Sequence, residues 1–123
     1  NITLSVFSVL DNNTDTYNGE IGICVFRSAN NTLRNNTVST YTKKGIVLQN
    51  SQNNTLEKNR VRGHEEPGII LYRSDYNTIT GNTPASSYND AMSLKDSDYN
   101  IVVDNNASYL TSGNGVSCYD WNH

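Results

Sequence analysis

Four segments of this chain line up at a fixed spacing of 23 residues, and a period that short excludes most folds. They read GICVFRSANNTLRNNTVSTYTKK (22–44), GIVLQNSQNNTLEKNRVRGHEEP (45–67), GIILYRSDYNTITGNTPASSYND (68–90) and AMSLKDSDYNIVVDNNASYLTSGN (91–114), the last one residue longer. A partial copy, GVSCYDWNH, occupies 115–123. Self-similarity at this period is the signature of a solenoid. Stacking the copies turns each position into a column. One apolar column is Ile23, Ile46, Ile69, Met92 and Val116; two residues on lies Val25, Leu48, Leu71, Leu94 and Cys118. A spacing of two is strand periodicity, so both columns point to one face of a short strand. Further columns are Leu33, Leu56, Ile79, Val102 and Val38, Val61, Pro84, Ala107. Twenty-three residues are too few for two packed helices and carry no 3.6-residue stripe. The expected fold is therefore all-β: a single-stranded, right-handed parallel β-helix of about five coils of 23–24 residues, the hand following from parallel crossovers.

Two polar columns fit that fold. Asn31, Asn54, Asn77 and Asn100 precede Asn36, Asn59, Asn82 and Asn105 by five residues. Asn tolerates turn dihedrals, bonds nearby backbone, and stacks into amide ladders. A Ser column (Ser28, Ser51, Ser74, Ser97) marks another bend. Residues 1–21 read as an irregular first coil, with Leu4 and Val9 spaced like Leu33 and Val38, Phe7 in an Asn-ladder place, and a polar surface loop over 10–20. The whole chain reads as one domain, 1–123, with regular coils 22–44, 45–67, 68–90 and 91–114 and a partial coil 115–123.

Composition narrows the function classes. Net charge is −3 and pI about 5.2, with no basic patch, which argues against nucleic acid as a partner. No apolar run reaches membrane-spanning length. Sequons at Asn1, Asn12, Asn30, Asn35, Asn53 and Asn106 are glycosylation candidates and point to an extracellular or envelope-surface location. Cys24 and Cys118 lie four coils apart, too far for a disulfide; Cys118 reads as core and Cys24 as a half-buried thiol. An open last coil is expected to belong to a longer protein or to be covered by other subunits.

The unit GIxLxxSxxNTLxxNxV closely resembles the NosD-like, or carbohydrate-binding and sugar-hydrolase (CASH), parallel β-helix repeats. The similarity covers 22–107, and its best copy is Gly45, Ile46, Val47, Leu48, Ser51, Asn54, Thr55, Leu56, Asn59 and Val61. Such repeats occur in microbial surface proteins, in periplasmic copper-maturation proteins and beside polysaccharide-acting enzymes. The resemblance implies an envelope or secreted setting and carries no activity across.

The residues themselves offer little catalysis. Copper needs soft or imidazole ligands; His64, His123, Met92, Cys24 and Cys118 are scattered without metal-binding spacing, so no metal or other cofactor is expected. Glycoside hydrolysis needs two carboxyl groups. Asp75 over Asp98 is the one weak candidate pair; a solvated bend, with Arg73 over Asp96 and Asp120 beyond it, explains the same residues. Glu66 stacks on Lys43 as a surface ion pair. Aromatics are the remaining lead. Phe26, Tyr72 and Tyr119 share an outward column beside Cys24, Val47 and Ile70, giving an apolar strip on the first sheet for protein or glycan, unless loop 10–20 covers it. Tyr76 and Tyr99 stack at the adjoining bend. The expected function is a non-enzymatic surface module that assembles end to end into filaments or layers, with other surface proteins or polysaccharide as further partners. A carbohydrate-binding domain is the alternative, and a scaffold fragment of a polysaccharide-acting enzyme the third reading.

Overall fold

The computed structural model describes residues 2–16, 19–39, 43–63, 65–86, 88–107 and 112–120. It is a parallel β-solenoid. The first sheet stacks β1 (Ile2–Leu4), β4 (Ile21–Phe26), β7 (Lys44–Gln49), β10 (Ile69–Tyr72), β13 (Met92–Lys95) and β15 (Val116–Tyr119) in that order. The second stacks β2 (Val9–Asp11), β5 (Thr32–Arg34), β8 (Thr55–Glu57), β11 (Thr78–Thr80) and β14 (Ile101–Val103). The third stacks β3 (Thr14–Asp15), β6 (Thr37–Ser39), β9 (Arg60–Arg62) and β12 (Thr83–Pro84). Among the described residues there is no helix long and apolar enough to cross a membrane.

The apolar columns pair in the register that the repeat predicts. Ile23, Ile46, Ile69 and Met92 stack in one row and Val25, Leu48, Leu71 and Leu94 in the next. With Leu33, Leu56, Ile79, Val38 and Val61 they form one buried core running along the axis. At two coil starts, Gly22 and Gly68, glycine is a packing requirement. A Cβ on Gly68 would sit 2.8 Å from the Ala85 carbonyl oxygen, and one on Gly22 would strike Val38.

The two bends that flank the second sheet are built from Asn and Ser. Asn82 Oδ1 accepts the Asn59 backbone N–H (2.8 Å) and an Asn59 side-chain N–H (3.0 Å), while Asn59 also donates to the Leu33 carbonyl (2.8 Å). The same pattern links Asn31 to Asn54 and Asn54 to Asn77, and Asn36 to Asn59, one coil at a time. Asn100 and Asn105 end the two ladders. Ser51 Oγ accepts the Ser28 N–H and Ser74 Oγ accepts the Ser51 N–H, each at 3.1 Å. Each bend also holds residues in the left-handed region. Three such columns are Arg27, Asn50, Arg73, Asp96; Phe7, Asn30, Asn53, Tyr76, Tyr99; and Asn12, Asn35, Lys58, Gly81, Asp104.

The first coil differs from expectation. Leu4 pairs with Val25, and Leu10, not Leu4, pairs with Leu33. Asp15, not Val9, faces Val38. The stretch expected as a loop over 10–20 therefore contains the end of β2 and all of β3. Phe7 lies in a left-handed column, not in the Asn ladder; the ladder places go to Ser8, whose N–H donates to Asn31, and to Asn13, which bonds Asn36. Apolar spacing alone leaves this register open, because two Leu/Val pairs at similar spacing fit equally. The recurrence of Asn-Asn-Thr at 12–14 and 35–37 resolves it. Cys118 is the other correction. It continues the Leu94 column but is exposed, since among the described residues no coil packs above it.

Asn59→Ala removes the acceptor of two Asn36 groups and the donor to Leu33. With each stranded buried group costing about 1–3 kcal/mol, the variant is expected to lose about 3 kcal/mol or more in urea unfolding. A loss below about 1 kcal/mol would contradict the ladder's role.

Candidate functional site

The outer face of the first sheet carries the chain's most varied chemistry. Pairing places Phe26, Gln49, Tyr72, Lys95 and Tyr119 in one outward row, so the aromatics of this row stand on alternate coils with polar residues between them. At one strand spacing per coil the rings recur every ~9.6 Å. The neighbouring row is Cys24, Val47, Ile70, Ser93 and Ser117. Phe26 and Tyr119 are 41% and 54% exposed, and Ile70 and Tyr72 are half-buried. Val47, expected in the exposed strip, is only 6% exposed. It lies at the bottom of a recess whose wall includes Lys44, Glu66 and Pro67, so it serves as floor and not as rim. The 10–20 stretch does not cover this face with its described strands, which belong to the second and third sheets.

Two adjoining recesses form a trough along the strip. One, of about 440 Å³, has Val47, Ile70 and Tyr72 as floor and Gln49 and Lys95 on its rim. The other, of about 430 Å³, lies among Ser93, Lys95, Tyr119 and Asp120, sharing Ser93 and Lys95 with the first. Cations sit against the rings: the Arg27 guanidinium is 5.1 Å from the Phe26 centroid, Arg73 is 5.0 Å from that of Tyr72, and Lys95 Nζ is 5.5 Å from the same ring. The wall is held by Lys44 and Glu66, 3.6 Å apart. Sequence stacking had pointed to Lys43 for Glu66. The backbones do meet there, with the Glu66 N–H donating to the Lys43 carbonyl at 2.8 Å, but the Lys43 ammonium lies 3.7 Å from Glu20.

A buried carboxylate anchors the trough's far end, and sequence reasoning missed it. Asp90 is 7% exposed. Its Oδ1 accepts the Asn114 N–H at 2.6 Å, and its Oδ2 accepts the Ser117 hydroxyl at 2.5 Å and the Tyr119 hydroxyl at 3.4 Å. The Ser117 bond, then the Asn114 amide, hold its carboxyl below the ordinary 3.8. Gly113, at φ 89, completes the turn, since a Cβ there would lie 2.6 Å from the Asn89 carbonyl. Its trace in sequence is that segment 91–114 is one residue longer than the others.

The other candidates lie away from the trough residues. Asp75 does lie over Asp98, but its Oδ1 accepts the Asp98 N–H at 2.8 Å, which makes it a cap of the bend. Tyr76 and Tyr99 stack at 4.9 Å with planes 6° apart. Asn12, Asn30, Asn35, Asn53 and Asn106 are exposed, the first four at left-handed bends; Asn1 lies outside the described residues. Ser117 is buried although its row faces outward, because it is tied to Asp90.

Among the described residues the soft side chains do not converge. Cys24 is half-buried, and burial pushes its thiol up from 9.0 against a smaller opposing pull from Lys44. Cys118 stands at the other end of the stack, and Met92 is sealed in the core. Among the described residues no three His, Cys, Asp or Glu side chains come together in a metal-binding group; His64 and His123 lie outside them.

Asp90 has a folded-state pKa below its unfolded value, so its stabilisation is present above about pH 4 and lost as pH falls through the depressed value. Asp90→Asn is expected to speed hydrogen exchange at 114–119 near neutral pH, with the difference from wild type closing below about pH 4. Equal exchange at pH 7 would contradict the anchoring role.

No curated protein and no solved structure matches this chain significantly. A family model described as "Periplasmic copper-binding protein (NosD)" matches residues 3–122. A periplasmic family agrees with an envelope setting, while the donors among the described residues do not fit a copper site. With the match running almost end to end over a parallel β-solenoid built from the same repeat, the chain belongs to the NosD family.

Proposed function

We propose that this chain is a non-enzymatic β-helix module of the cell envelope that holds polysaccharide on the outer face of its first sheet. One observation carries the reading: a trough with an apolar and aromatic floor and a polar rim, lying on a rigid sheet. Sugars present apolar ring faces and a fringe of hydroxyls, and they bind where flat aromatic surface meets fixed hydrogen-bonding groups. Gln49, Ser93 and Lys95 supply such groups beside Tyr72 and Tyr119. A binding role is favoured over hydrolysis because Asp75 of the expected acidic pair caps a bend, Asp90 is committed to a turn, and Glu66 in the trough wall is paired with Lys44. Copper handling is not proposed, for want of a ligand set among the described residues. In affinity electrophoresis against a panel of polysaccharides, Tyr72→Ala and Tyr119→Ala are each expected to weaken retardation about tenfold while leaving the melting transition in place. Retention by neither wild type nor variants across the panel would remove the reading.

A second reading is end-to-end self-association into filaments or surface layers. The observation favouring it is the exposed apolar surface on the last described coil, where Ile101, Val103 and Val116 are all exposed. Axial stacking of identical units is a heterologous contact that propagates without closing. Val116→Asp with Ile101→Lys is expected to reduce sedimenting assemblies to monomer without changing the melting of the inner coils. Unchanged sedimentation would eliminate this route.

A further inference from the structure

We infer that the polysaccharide held on this face is acidic, carries one uronic acid carboxylate per disaccharide, and runs along the solenoid axis with one disaccharide to every two coils. This rests on the reading of the first-sheet face as a glycan surface and adds the ligand's charge, direction and register.

The period comes first. Phe26 and Tyr72 occupy one row two coils apart, with Gln49 between them, and Tyr119 follows two coils later with Lys95 between. The repeat of ~9.6 Å is close to the length of one disaccharide in an extended β-linked chain, in which alternate sugars face the same way. A chain lying across the strands would meet one of these rings; a chain along the axis meets all three in the same orientation.

Charge recurs with the same period. Each of the first two rings is followed by an arginine in the left-handed region, Arg27 at φ 47 and Arg73 at φ 48. That bend folds each guanidinium back over the ring of its own coil, at 5.1 and 5.0 Å. The intervening coil has Gln49 and Asn50 in the same two rows, so neither ring nor guanidinium is repeated there. The composite unit of ring plus guanidinium therefore appears once per two coils. A neutral sugar would have to displace the guanidinium to reach the ring. A uronate engages both at once, its carboxylate on the planar fork and its ring against the aromatic edge. Lys95 adds a third cation, 5.5 Å over Tyr72. The chain is acidic overall at −3, so the stretch from Phe26 to Lys95, with Arg27, Arg73 and Lys95, runs against its average. Carboxylates border it at three places: Glu66 beside Lys44, Asp96 one coil beyond Arg73 in its row, and Asp120 beyond Tyr119. The acidic stretch of ligand is thus centred on Phe26 to Lys95, with Tyr119 contributing a ring alone.

The test compares hexasaccharides of equal length by calorimetry on the intact chain: hyaluronan, with one glucuronate per disaccharide, and the neutral chitin oligomer. Wild type is expected to bind the hyaluronan hexamer at least tenfold more tightly, with the preference shrinking as salt screens the charges. Arg73→Asn is the variant of choice, because Asn50 already occupies the equivalent left-handed position one coil earlier. It is expected to abolish the preference while leaving the neutral hexamer's affinity the same or higher and the melting temperature unchanged. Equal binding of both hexamers by wild type, or a preference that survives in the double variant Arg27→Asn/Arg73→Asn, overturns the inference and leaves glycan binding standing. Binding of neither hexamer overturns both.

Discussion

The structure depends on the asparagine amides at the two bends that flank the second sheet. A chain that coils every 23 residues must turn its backbone repeatedly beside a dry core, and every turn strands polar groups there. A side-chain amide has both a carbonyl and an N–H pair, so one Asn serves the coil on either side. Asn59 does this for Asn36, Asn82 and Leu33 simultaneously. Neither Ser nor Asp offers donors and acceptors in that arrangement, which explains why two uninterrupted Asn rows run from Asn31 to Asn100 and from Asn36 to Asn105.

Fixing the bends has a consequence for the outside of the molecule. Because four successive coils leave their first strand through a left-handed residue, Arg27, Asn50, Arg73 and Asp96, side chains just before and at that residue emerge in the same direction on each of them. Surface chemistry then becomes a matter of which residue fills a row. Aromatic and arginine residues on alternate coils yield a surface with a two-coil period, laid on a scaffold with a one-coil period. A solenoid can change its surface this way without disturbing its core, which suits a family whose fold is shared more widely than any one activity.

The far end of the trough follows different rules. The row of Lys44 and Pro67 continues as Asp90, a buried carboxylate that gathers a turn amide and two hydroxyls. Here the repeat lengthens by one residue, and the ladder's regular bonds give way to a single charged hub. The hub holds Tyr119 at the trough's edge, so positioning of the last ring depends on a contact made across the 91–114 coil.

Much of this was legible in the residues. The period, the apolar rows, the two Asn ladders and the alignment of Phe26, Tyr72 and Tyr119 follow from counting, because a parallel stack in constant register converts sequence spacing directly into spatial neighbours. Where the count is interrupted, the sequence decides less. The first coil is shorter between Leu4 and Ser8 than its successors are between Val25 and Asn31, so its register had to be settled by pairing. Val47 lies in an outward row yet is buried, since burial depends on neighbouring segments and not on the strand's own alternation. Cys118 sits in an inward row yet is exposed, since a row is buried only between two coils. Local periodicity thus determined the fold and the direction of each side chain. Contacts between different parts of a coil decided which of those side chains are covered, which carboxylates are committed to the scaffold, and which rings carry a cation.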